Sequence, residues 1–103
     1  MAINFEDYSN IEKCQLEGEA LDKEFERILP VARGMDTQTS DDMLVAYAYY
    51  KQATVGDSRP DQAPKLMDIV KTFKFNTWRR LNGMSKEEAK RSYIDYINYL
   101  LQK

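Results

Sequence analysis

From Glu19 to Arg33 the apolar side chains Ala20, Leu21, Phe25, Ile28, Leu29 and Ala32 return every three or four residues, with charged groups between them. That period marks one apolar face on an α-helix. Pro30 interrupts it: proline lacks an N–H and its ring presses on the preceding turn, so the segment is expected to kink there or break in two. Gly34 ends it, and Met35 to Thr39 form a connection. Ser40, Asp41 and Asp42 then place a hydroxyl and two carboxylates where a helix start is positive, predicting a second helix through Met43 to about Val55. Gly56-Asp57 closes it, and Ser58 to Pro64, with two prolines, reads as loop. A third helix is expected to include Phe73 to Leu81, ended by Asn82-Gly83. The clearest signal comes last. Ser85-Lys-Glu-Glu88 has the form of a capping box, followed by Ala89, Tyr93, Tyr96, Ile97, Leu100 and Leu101 at helical spacing. No stretch alternates as a strand would, so the expected fold class is all-α with four main helices.

Residues 1–18 lack such a pattern; Phe5, Tyr8 and Ile11 allow a weak amphipathic turn or two, and Gly18 ends the stretch. The expected organisation is an N-terminal extension, partly ordered, over 1–18 and one domain over 19–103. A chain of 103 residues has room for a single core. Its start has neither a basic region followed by an apolar run nor an Arg-rich, acid-poor character, so a signal or transit peptide is not expected and the cytosol is the expected compartment. No apolar run reaches the ~20 residues that span a bilayer, so no stable membrane insertion is expected.

Chemistry narrows the picture further. There is one cysteine, Cys14, and no histidine. A disulfide within the chain is therefore impossible, and the usual metal sites and histidine-assisted nucleophiles lose their ligands and bases. No enzyme activity and no cofactor are expected. The charge of −2 is unevenly placed: residues 1–50 carry four basic and eleven acidic side chains, residues 51–103 eleven basic and six acidic. An anionic partner would be met by the second half. A nucleic acid is not expected as that partner, since the pI near 5.2 accompanies no basic stripe.

On the second predicted helix, Tyr47, Tyr50 and Lys51 stand at i, i+3 and i+4 and share a face, with Met43 one turn earlier. Leu44 and Ala48 lie beside them, toward the core. Two phenols and an ammonium suit a ligand that carries an aromatic ring and a phosphate. Spacing alone, however, describes a half-buried tyrosine stripe at least as well.

The residues that follow shift the balance. Tyr47-x-x-Tyr50-Lys-Gln-Ala-Thr-Val-Gly-Asp57 resembles the signature segment of the acyl-CoA-binding protein family. Lys74-Phe75-Asn-Thr-Trp78-Arg-Arg-Leu-Asn-Gly83 is similar to the family's Lys-Trp-x-x-Trp-x-x-x-x-Gly stretch, and Ser85-Lys-Glu-Glu-Ala89 with Tyr93-Ile94 resembles its last helix. The resemblance covers roughly Phe25 to Leu101. It implies an up-down-down-up four-helix bundle that binds one medium- to long-chain acyl-CoA and serves as a monomeric carrier and pool former in lipid metabolism. It further implies that Tyr50 stacks on adenine, that Lys51 and Lys74 meet the 3′-phosphate, that Tyr47 hydrogen-bonds phosphate and that Tyr93 lines the nucleotide site. Met43 falls near the acyl chain, and Arg33 near a first-helix lysine of the family. Two departures stand out. Phe75 replaces a tryptophan, and a basic position falls on Val70, leaving Lys71 beside it as the substitute. Trp78 is expected in the core. The alternative is a protein-interaction module that keeps the fold without the ligand.

Overall fold

In the computed structural model, residues 5, 12–35, 39–65 and 67–102 are described. They form α1 (Gly18–Arg33), α2 (Ser40–Thr54), a 3₁₀ turn over Pro60–Gln62, α3 (Ile69–Arg79) and α4 (Lys86–Leu101), with no strand among the described residues. Helix α2 packs on both α3 and α4, and α1 packs on α4.

Each helix begins and ends for a local reason. Gly18 opens α1 at a φ of 56°, a conformation that favours glycine. Helix α1 runs through Pro30 without breaking, contrary to one of the two expectations. Pro30 lies in its last turn, where a single donation is lost and the Pro30 carbonyl still accepts from Gly34 N at 3.1 Å. The cap of α2 is Thr39 rather than Ser40: its hydroxyl accepts from Asp42 N at 3.1 Å, and the Asp42 carboxylate accepts from Thr39 N at 3.4 Å. Helix α3 starts four residues before Phe73. Asp68 caps it, accepting from Lys71 N at 3.0 Å. The exposed, apolar Ile69 and Val70 masked that start by breaking the amphipathic pattern. Ser85 caps α4 as expected, accepting from Glu88 N.

The core gathers Leu21, Phe25 and Ile28 of α1, Val45, Ala48 and Tyr49 of α2, Phe75 and Trp78 of α3, and Ile94, Tyr96 and Ile97 of α4. Burial of a Leu, Ile or Phe is worth about 1.5–3 kcal/mol each, so this set dominates the favourable side. Polar ties set how the helices meet. The Tyr96 hydroxyl donates to Asp42 at 2.7 Å in a buried site, joining α4 to the start of α2. Burial, and then the Asp42 carboxylate, hold the Tyr96 phenol well above its ordinary pKa. Asp22 and Lys90 join α1 to α4 at 2.6 Å.

The segment before α1 lies along the bundle. Cys14 N donates to Asp95 at 2.8 Å, and Arg91 donates to the Leu16 carbonyl at 3.1 Å, both on α4. Phe5 sits edge-on to Tyr49 with ring centres 5.4 Å apart, its carbonyl accepting from the Tyr49 hydroxyl, and Arg80 stands 4.9 Å from its ring. Tyr8 and Ile11, the other apolar residues of the expected amphipathic turn, lie outside the described residues.

Candidate ligand-binding site

Between α2 and α3 lies an open recess of about 340 Å³, lined by Tyr47, Lys51, Gln62, Pro64, Lys71, Lys74, Phe75 and Trp78. Helical spacing supplies both walls. Tyr47 and Lys51 are one turn apart on α2; Lys71, Lys74, Phe75 and Trp78 occupy adjoining positions on α3. The turn after α2 closes the rim with Gln62 and Pro64.

Two ammonium groups converge there, each resting on a ring. Lys51 Nζ lies 5.1 Å from the centre of the Trp78 ring, and Lys74 Nζ lies 5.2 Å from that of Tyr47. Contacts at this distance are worth about 0.5–1 kcal/mol when exposed. Among the described residues neither lysine forms an ion pair with a carboxylate. Partial burial pushes the Tyr47 phenol above its ordinary pKa, so it stays a neutral donor at physiological pH. The recess therefore offers cationic and hydroxyl donors above an aromatic floor, a set suited to phosphate beside a flat ring.

Of the residues expected to act, Tyr47, Lys51, Lys71, Lys74 and Phe75 line this recess. Phe75 is buried and turned edge-on to Trp78, with ring centres 6.0 Å apart, so it serves as floor. Tyr50 and Tyr93 come together next to it, not within its lining. Their rings are 6.4 Å apart, and Phe25 of α1 touches both, at 6.4 and 5.3 Å. Burial raises the Tyr93 pKa, and the Arg33 charge opposes that shift, which places Arg33 within electrostatic reach. Met43 is 56% exposed, one turn before Tyr47 on α2, away from the lining.

Trp78 lies in the core as expected, 3% exposed, and it has a second role that was not foreseen, as the recess floor beneath Lys51. Its place four residues after Lys74 was the available signal. Gln62 and Pro64 come from a segment read as loop, and nothing in local spacing marks them.

The signature segment divides into two jobs. Gln52 is fully buried; its Nε2 donates to Asp57 and to the Met84 carbonyl, both at 2.8 Å. Asp57 also accepts from Gly83 N at 2.8 Å, which, with the Gln52 donation, lowers its carboxyl pKa. Ser58 N donates to Asn82 at 2.9 Å, and Trp78 Nε1 donates to the Gly56 carbonyl at 2.9 Å. Thus Tyr47 and Lys51 face the recess, while Gln52, Gly56 and Asp57 fasten the end of α2 to the turn before α4.

The model of the family described as acyl CoA binding protein matches residues 22–97. The chain is 35% identical over 83 residues to an acyl-CoA-binding protein homolog of Manduca sexta, covering 80% of this chain and 92% of that one. It is 36% identical over 83 residues to acyl-CoA-binding domain-containing protein 2 of Oryza sativa, covering 80% and 90%. The crystal structure of Oryza sativa acyl-CoA-binding protein 2 superposes with a TM-score of 0.75 at 36% identity, covering 81% of this chain and 90% of that one. The protein belongs to the acyl-CoA-binding protein family, and its all-α fold is the fold of that family.

Proposed function

We propose that the protein binds medium- to long-chain acyl-CoA esters one-to-one, as a monomer in the cytosol, and carries and buffers them without catalysing a reaction or needing a cofactor. The observation that carries this reading is the convergence of Lys51 and Lys74, from different helices, on one aromatic-floored recess with no carboxylate partner among the described residues. In this reading their ammoniums take the 3′-phosphate, Tyr47 donates to phosphate, and Tyr50 with Tyr93 contacts the adenine. Arg33 and Lys71 add positive charge nearby, and Phe75 supports the floor. Met43, a flexible thioether left at the surface, contacts the acyl chain. The family and the names of its members support coenzyme A ester as the ligand.

Two free-energy contributions cooperate: phosphate held by ammonium groups, and chain removed from water at about 0.8 kcal/mol per CH₂. Titration calorimetry of Lys51→Met and Lys74→Met with coenzyme A and with its 3′-dephospho form is the test. A charge-assisted hydrogen bond worth about 1.5–3 kcal/mol gives a loss of roughly tenfold or more for coenzyme A and little for the dephospho form. Equal losses for both would put the 3′-phosphate elsewhere. Wild-type affinity should also rise with acyl length until the chain outgrows its seat. A protein that bound neither coenzyme A nor any ester would be the interaction module instead.

A further inference from the structure

We propose that Gln62 is a ligand-binding residue, its side-chain amide donating to the phosphate that Lys51 and Lys74 hold; this rests on the coenzyme A reading and adds a group to it. Gln62 ends the short turn over Pro60–Gln62 and stands exposed at the rim of the recess. Pro60 fixes the first φ of that turn. Gln62 N donates to the Arg59 carbonyl at 3.0 Å, and Arg59 N donates back to Gln62 Oε1 at 2.8 Å. The two bonds fold the side chain onto its own turn. Chemistry then settles which end of the amide is left over. A backbone N–H can only donate, so the atom it meets is the oxygen, and the NH₂ group remains. Among the described residues no acceptor engages that Nε2.

The recess has a use for such a donor. Its lining includes no carboxylate, so an anion there competes with none. A phosphate monoester carries three strong acceptor oxygens. Lys51 and Tyr47 approach from α2 and Lys74 from α3. An oxygen turned toward the remaining side meets Gln62 and Pro64, and proline has no N–H to offer. Gln62 is therefore the donor on that side. A neutral amide adds a hydrogen bond there without adding to the repulsion between the two ammoniums. Its bond to Arg59 N holds the side chain in place before the ligand arrives, so little freedom is lost on binding. Glutamate at this position would hold the turn as well but present a carboxylate to the phosphate. Methionine, of similar length, would do neither job. Holding the turn and binding the ligand thus rank these substitutions differently.

Titration calorimetry of wild type, Gln62→Met and Gln62→Glu with coenzyme A and with its 3′-dephospho form tests this. Wild type should prefer coenzyme A. Gln62→Met should reduce that preference roughly tenfold, the lower end for a hydrogen bond to a charged group. Gln62→Glu should reduce it further, since repulsion is added to the lost donation. The gain in affinity per added CH₂ of an acyl chain should be the same in all three proteins, because only the phosphate end is touched. An exposed turn residue leaves the core intact, so both variants are expected to fold; circular dichroism checks this. An unchanged preference in Gln62→Met overturns the proposal and leaves Gln62 a residue of the turn alone. An equal loss for both ligands in Gln62→Met overturns it too, since a displaced rim would give that result. So does a Gln62→Glu variant that binds coenzyme A as tightly as wild type, which puts the phosphate beyond its reach. If wild type itself showed no preference for coenzyme A over the dephospho form, the placement of the 3′-phosphate on Lys51 and Lys74 would fall, and the role of Gln62 with it.

Discussion

Gln52 is the residue whose replacement most directly separates the structural half of the signature segment from the ligand-binding half. Both groups within reach of its Nε2 are acceptors, the Asp57 carboxylate and the Met84 carbonyl, so the amide must present its nitrogen to them. Its Oε1 is buried without a partner among the described residues. Gln52→Leu keeps the approximate volume and removes both donations. The Met84 carbonyl is then left unsatisfied at a cost of about 1–3 kcal/mol, partly offset because the unpaired Oε1 is no longer buried. The Asp57 carboxylate faces water, which replaces the lost donation on that side. The net loss is about 1 kcal/mol, which for a domain of this size lowers Tm by roughly 4–8 °C. Urea unfolding followed by circular dichroism reads the stability, and coenzyme A titration well below Tm reads the site. A change under about 0.5 kcal/mol, the range of an ordinary surface substitution, would refute the idea that this amide fastens the two turns. So would a large loss of coenzyme A affinity in a fully folded sample, which would put Gln52 in the site itself.

Two further predictions concern single groups. Trp78 is the only tryptophan and Lys51 rests on its ring, so a phosphate ligand that draws the ammonium away should change its emission. Lys51→Met should alter the ligand-free spectrum; if 3′,5′-ADP leaves wild-type emission unchanged at saturation, Lys51 does not move to the ligand. Asp95, on α4, has its pKa raised by burial, against the lowering effects of the Cys14 N–H and the Lys13 charge. A raised carboxyl pKa means that the folded state holds the proton more tightly, so the contribution is favourable below the unfolded pKa near 3.8 and is lost as pH rises through the folded value. Asp95→Asn keeps an acceptor for Cys14 N–H and should flatten the pH dependence of stability from about pH 4 upward. An unchanged slope in pH-resolved urea unfolding would remove Asp95 from that balance.

Much of this molecule was legible along the chain. The three- and four-residue recurrence of apolar side chains is a property of the helix itself, so α1, α2 and α4 could be placed from sequence within a residue or two. Ser85 as a cap follows equally from local hydrogen bonding. The face carrying Tyr47 and Lys51 is likewise fixed by one turn of helix. Where local pattern and burial part company, sequence is silent. Ile69 and Val70 hid the start of α3 because they face outward, and only their exposure exposes the choice.

What the tertiary structure alone decided is convergence. Lys51 and Lys74 become neighbours of one recess through the packing of α2 on α3, a contact with no local signature. The same packing turned Trp78 from an anonymous core residue into the floor under Lys51, and grouped Tyr50 with Tyr93 and Phe25 beside the recess. It also revealed that Gln52 and Asp57, the most distinctive letters of the signature, hold loops together and leave the recess to their neighbours. A hydrogen bond between distant turns depends on where the chain returns in space, which periodicity along a single helix does not encode.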